Sequence, residues 1–377
     1  MRSLLLALPL LLGGAGTLTT VGAGAGTPGG VFYQGPLDAV SGATMCFSLR
    51  GCSLAYAFPA NNPALQVRRN SDNQLKDILI LSNGNLDVAS AAAFAGPDGG
   101  TGVCTASTSG SSTTLTIASC TASATLHAGD TLTCASCVQP TYITALGTFS
   151  GTGAGASGTV TLNAAQSITS QSVTSQWGLF VRKWYDQTQG LKCASATCDF
   201  ATATNANQNQ LLPLCLGGGT LPCIAAVLSG SPGLGSTNSF TPTSAAATLV
   251  VVALRPSGAT TQTLLRETLA GNRIVTSASA NVWPLTGAAS GTFTAAATDG
   301  TAHSGIAVVN GAASVFYIDN VATPGTATGN TTAGAPSMTS STQPLYSGES
   351  IVYDNVAFSS GQVSTLHTNQ SAYWGTP

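Results

Sequence analysis

From residue 248 to its end the chain alternates short apolar runs with tight-turn dipeptides, a punctuation that few folds other than antiparallel sheet accommodate. Residues 248–254, 306–309, 315–318 and 351–358 each have strand length, and Asp299-Gly300, Asn310-Gly311 and Asp319-Asn320 stand among them as hairpin signals. The run 248–254 is apolar after its first residue, the pattern of a strand covered on both faces. Turn formers are abundant elsewhere too, with 44 Gly and 17 Pro in 377 residues. Charge is scarce: 11 Lys and Arg stand against 13 Asp and Glu, for a net charge of −2. That balance supplies no basic stripe for a phosphate backbone, so nucleic acid is not an expected partner. The fold class expected is all-β, with length enough for one large sandwich.

The first 25 residues have the layout of a secretory signal peptide. Met1-Arg2 precedes an apolar run from Leu4 to Leu12, Gly13, Gly14 and Gly16 end it too early for a membrane span, and Ala23-Gly24-Ala25 offers a small-residue cleavage site. A secreted or extracytoplasmic protein is expected, with no membrane span after cleavage. Ten cysteines fit that compartment: Cys46 and Cys52, Cys104 and Cys120, Cys134 and Cys137, Cys193 and Cys198, Cys215 and Cys223. Local disulfides between neighbours are the expectation. Cys134-Ala-Ser-Cys137 lacks the two further ligands that zinc needs, so no metal is expected there.

Within 26–377, the stretch 98–176 shifts to Thr, Ser, Gly and Ala and carries four cysteines. It reads as a small disulfide-pinned β unit inserted into the larger domain. Before it, residues 65–81 read as a hairpin turned at an Asn/Ser/Asp cluster, and Asp87 is placed to cap a short helix over 88–94. Near the end, Ser359 and Gln362 form a capping box for a helix reaching Tyr373.

Several of these pieces, in order, resemble the catalytic domain of α-L-arabinofuranosidase B type glycoside hydrolases. They are Gly35-Pro36-Leu37-Asp38, Cys46, Leu54-Ala55-Tyr56, Gln66-Val67-Arg68-Arg69, Ser71-Asp72, Asp77-Ile78, residues 85–94, and Trp184-Tyr185-Asp186-Gln187 with its Y-D-Q signature. Residues 240–377 are similar in a more general way to laminin-G-like sandwiches, through Asp299-Gly300, residues 314–319 and Gly348-Glu349. The resemblance implies a concanavalin A-like jelly-roll β-sandwich, a carbohydrate partner, no cofactor, and hydrolysis of terminal α-L-arabinofuranosyl residues in plant polysaccharide. The alternative is a catalytically silent lectin-like module that binds glycan or serves as an adhesin or structural unit.

The chain departs from that family where the chemistry sits. It has no D-x-E stretch for a nucleophile, no G-G-D-N stretch for the acid/base and no adjacent cysteine pair. After Gln187 the remaining acids are Asp199, Glu267, Asp299, Asp319, Glu349 and Asp354. Glycoside hydrolysis needs two carboxyls across the scissile bond, and the two glutamates, Glu267 and Glu349, are the catalytic candidates. The competing readings are an ion pair with Arg266 or Arg273 for Glu267 and a fold-level glutamate for Glu349. Asp186 is expected to fix a turn by accepting backbone hydrogen bonds. For sugar binding, Trp283 and Tyr346 are the candidates, and Trp283 is expected to be exposed because its neighbours are small and polar. His127, His303 and His367 accompany no G-x-S-x-G elbow, which excludes a serine hydrolase of that type.

Overall fold

In the computed structural model the described residues are 33–58, 62–69, 72–95, 102–121, 126, 130–137, 141–150, 153–176, 178–188, 198–202, 208–226, 234–236, 238–255, 262–266, 274–277, 281–286, 292–327, 336–339 and 345–377. The segment 1–25 expected as a signal peptide, Trp177, Cys193 and Glu267 lie outside them. Three short strands come first: β1 (Met45–Ser48), β2 (Pro63–Arg69) and β3 (Leu75–Leu79). Six more follow: β4 (Val103–Thr108), β5 (Ser112–Cys120), β6 (Thr131–Thr133), β7 (Thr141–Ala145), β8 (Gly158–Gln166) and β9 (Gln171–Gln176). Next are β10 (Leu179–Trp184), β11 (Phe200–Ala201), β12 (Asn209–Leu216), β13 (Leu221–Ala226), β14 (Leu234–Ser236) and β15 (Ala247–Leu254). Then β16 (Gln262–Arg266), β17 (Ile274–Ser277), β18 (Val282–Thr286), β19 (Thr292–Ala296) and β20 (Ala302–Val309) lead to β21 (Gly311–Ile318), β22 (Val321–Ala327), β23 (Ser337–Thr339) and β24 (Leu345–Asp354). The helices are α1 (Pro36–Ala39), α2 (Leu54–Ala57), α3 (Val88–Ala95) and α4 (Ser360–Trp374). The fold is all-β, and every strand pair among the described residues is antiparallel.

One sheet runs β3-β2-β10-β12-β13-β24-β15-β20-β21-β22, with β1 continuing the edge of β24 beyond β13. A second runs β11-β14-β23-β16-β17-β18-β19. Strand β10 serves both: Phe180 and Val181 pair with β12, and past a register shift Lys183 and Trp184 pair with β11. Side-chain alternation along β15 then defines two cores. Leu249 and Val251 join Trp283 and Leu285 of β18 in the main core. Val250 joins Ile306, Ile351 and Tyr353, with Val363 and Leu366 of α4, in a second core on the opposite face. The continuous apolar run of β15 is thus covered on both sides, by the second sheet and by α4.

The turns follow local chemistry at most of the expected places. Asp319 and Asn320 both take positive φ, 49° and 64°, with Ile318 opposite Val321, the two-residue turn that suits a hairpin's twist. The Oδ1 of Asp87 accepts the Ser90 amide at 2.9 Å and caps α3. Asp299-Gly300 departs from expectation and turns no hairpin, because β19 pairs with β18 while β20 pairs with β15 and β21. The dipeptide carries the chain from one sheet to the other, and Asp299 is drawn to the buried Arg255, whose Nη1 lies 2.8 and 3.0 Å from its two oxygens.

Strands β4 to β9 form a separate closed barrel in the order β4-β5-β8-β7-β6-β9, with β9 returning to β4. Its core holds Leu115, Ile117, Leu132, Ile143, Val160 and Val173. The Cys104–Cys120 bond joins residues directly opposite on β4 and β5, and Cys134–Cys137 closes the turn after β6. Two further disulfides, Cys46–Cys52 and Cys215–Cys223, lie in the larger body, and Cys198 is also disulfide-bonded. Among the described residues no helix is long and apolar enough to cross a membrane.

Candidate functional site

The Y-D-Q motif follows β10 directly, and its two polar side chains grip the loop closed by Cys46 and Cys52. Both cysteines are fully buried, so the loop's backbone groups need partners inside the protein. Asp186 Oδ1 accepts the amide of Cys46 at 3.0 Å, the amide of Thr188 at 3.1 Å and its hydroxyl at 3.0 Å. Gln187 accepts the Cys52 amide at 2.8 Å and donates to the Ser48 carbonyl at 2.6 Å. Its own amide donates to the Cys46 carbonyl at 2.8 Å. The motif is a framework device here. Burial pushes the Asp186 carboxyl up to about 6, against the pull of the hydrogen bonds from Cys46 and Thr188. Its Oδ2 has no hydrogen-bond partner among the described residues.

Glu349, one of the two catalytic candidates, sits on the face of β24 beneath α4 and is wholly closed to water. Its Oε2 accepts Arg50 Nε at 2.8 Å, the Ser48 hydroxyl at 3.2 Å and Trp374 Nε1 at 3.4 Å, while Oε1 accepts Gln370 Nε2 at 2.8 Å. Arg50 extends the cluster to the Asn369 side chain at 2.7 Å and stacks on Tyr373, 4.8 Å from the ring centre. Burial works against the charge on Arg50, yet the neighbouring Glu349 carries its pKa above the ordinary value. Both carboxylate oxygens thus accept from protein donors. Glu349 bolts the closing helix to the sheet.

Trp283 is buried to 0 % exposure, which corrects its expected place at the surface. Alternation along β18 turns Trp283 and Leu285 inward whatever the polarity of their neighbours in sequence. The ring lies over Gly305, where a Cβ would approach Trp283 Cζ3 to 3.0 Å and Val251 Cγ2 to 3.1 Å. Tyr346, on β24, is half-buried and packed against the same core, and burial raises the pKa of its hydroxyl. Trp283 therefore presents no ring face to solvent.

The other described acids after Gln187 also have structural partners. Asp199 accepts the Asp186 amide at 2.9 Å and pairs with Lys183 at 3.4 Å, and Asp354 accepts the Thr243 amide at 2.8 Å. Asp319 accepts the Ser304 amide at 2.9 Å and pairs with His303 Nδ1, whose Nε2 faces the Thr298 carbonyl at 2.8 Å. Sequence reasoning missed Arg50, Asn369 and Gln370. A signal for Arg50 was available: a lone cation within the apolar stretch 45–52, in a chain with 11 Lys and Arg, requires a buried anion. Asn369 and Gln370 carry no such signal, because amides on a helix surface are ordinary.

No family model and no curated protein matches the chain. Among solved structures, an arabinofuranosidase complexed with arabinofuranosyl-α-1,2-xylobiose is 11% identical with a TM-score of 0.49, over 90% of this chain and 65% of that one. An α-L-arabinofuranosidase soaked with a cyclic sulfate inhibitor is 11% identical with a TM-score of 0.46, over 90% and 66%. A Trypanosoma rangeli sialidase in complex with sialic acid is 14% identical with a TM-score of 0.34, over 52% and 32%. The chain thus spans a little under two thirds of the arabinofuranosidases' length. At these identities and TM-scores the likeness carries nothing about substrate or chemistry.

Proposed function

We propose that the chain is an extracytoplasmic carbohydrate-binding relative of the arabinofuranosidase B type, built on a concanavalin A-like jelly roll over residues 26–377 with 98–176 as an inserted β unit, and without hydrolytic machinery. The observation that carries the reading is the use of Glu349 as the buried partner of Arg50. Each other described acid after Gln187 is likewise engaged in holding backbone or a cation. The ordered motifs from Gly35 to Gln187 support the carbohydrate assignment, and four disulfides support an oxidising compartment. Binding a sugar requires a ring and a few convergent polar groups and no acid/base pair.

The test is arabinose release from arabinan and from an aryl α-L-arabinofuranoside, run beside a glycan array. Binding without release is the expected result. Release that Glu267→Gln abolishes would establish the chain as an arabinofuranosidase, and neither release nor binding would leave a structural sandwich.

A further inference from the structure

We infer that the groove enclosed by the start of α3, the β12–β13 hairpin and the end of α4 is a subsite for one or two neutral sugar rings, an inference that rests on the carbohydrate-binding reading above. The groove holds about 350 Å³, at the lower end of the roughly 300–1,000 Å³ typical of small-ligand sites. Pro213 and Leu221 give it apolar wall, suited to the C–H faces of a sugar. Tyr373 also lines it, half-buried, with Arg50 over its ring and the Trp374 ring edge-on beside it.

Three polar side chains converge on the same space. Asp87 spends Oδ1 on the cap of α3, and no described residue donates to its Oδ2. Thr220 donates its hydroxyl to the Gly217 carbonyl at 2.7 Å, which leaves its oxygen free to accept from a sugar hydroxyl. Asn85 contributes an exposed side-chain amide, able both to donate and to accept. Among the described residues no Lys or Arg lines the groove, and the Asp87 carboxylate is the charged group there. An anionic sugar would meet repulsion with no compensating cation, so the chemistry selects neutral, hydroxyl-rich ligands.

The walls are also fixed before any ligand arrives. Cys215–Cys223 pins the hairpin, and the Glu349 cluster locks the end of α4. Preformed walls reduce the ordering cost of binding. A larger cleft of about 460 Å³ between α1 and the start of α4 is lined by Ser41, Ser359, Gln362 and Thr365 among others, and it offers neither an aromatic ring nor a charge.

The experiment is saturation-transfer NMR on the full chain with α-1,5-arabinobiose, xylobiose and glucuronic acid as probes. Two variants plug the groove from exposed positions, Ala89→Trp on α3 and Thr220→Trp on the hairpin, and Asp87→Asn keeps the cap while removing the charge. Wild type is expected to bind at least one neutral disaccharide in preference to glucuronic acid. Each tryptophan variant that keeps the wild-type melting temperature should lose at least tenfold in affinity, and Asp87→Asn should lose several-fold. Undiminished binding in both folded plugs would overturn the subsite while leaving the carbohydrate reading intact. Preference for glucuronic acid would overturn the neutral-ligand assignment, and no binding of any probe by wild type would overturn the subsite together with the reading beneath it.

Discussion

Arg50 Nε lies 2.8 Å from Glu349 Oε2, with the two side chains 1 % and 0 % exposed. Removing one partner from a pair so enclosed leaves the other charge without water or counter-ion, a change that costs about 3–5 kcal/mol. Glu349→Gln is therefore expected to lower the unfolding free energy by about that amount in urea titrations. The double variant Arg50→Met with Glu349→Gln should recover most of the loss, because the stranded charge is gone. A catalytic Glu349 would instead leave stability nearly unchanged in the single variant.

Asp186 makes stability depend on pH in an unusual direction for a carboxylate. Its folded value of about 6 lies above the ordinary 3.8, so between these limits the native state holds a proton that the unfolded chain has released. Stability from this group is complete below pH 3.8 and is lost as pH rises through about 6. The full swing is at most about 3 kcal/mol. Melting curves of Asp186→Asn across that window are expected to lack the decline, since the amide carries no charge yet keeps an acceptor for the Cys46 amide.

His303 titrates in the next window up. Burial opposes the imidazolium, but the Asp319 carboxylate at Nδ1 and the Thr298 carbonyl at Nε2 outweigh it and raise the pKa above 6.5. The stabilisation is complete below pH 6.5 and is lost as pH rises through the elevated folded value. His303→Gln should cost about 1.5–3 kcal/mol at pH 6 and distinctly less at pH 9, as read from denaturant midpoints.

Local patterns in the sequence translated well into elements, and less well into a site. The cap at Asp87, the two-residue turn at Asp319-Asn320 and the doubly covered run of β15 depend on near neighbours, and all could be read from the chain. Asp299-Gly300 misled because its dipeptide chemistry fits a hairpin, whereas the fate of Asp299 is decided by Arg255, 44 residues away in sequence. Trp283 misled for a similar reason: its small polar neighbours suggest exposure, but the alternation of β18 and the space left at Gly305 place it in the core. Glu349 meets Arg50 across a sequence separation of 299, a distance over which spacing carries no signal. The proposed groove draws its walls from α3, the β12–β13 hairpin and α4, and no single segment announces it.

The closed pairing of the barrel has a consequence for its edges. Because β9 returns to pair with β4, Val103 at the head of the barrel stands opposite Thr174 near its tail. The first and last strands of the ring thus lie side by side, and each strand of the unit has a neighbour on both edges. A ring closed on itself offers no open strand edge for a strand of another copy to pair with.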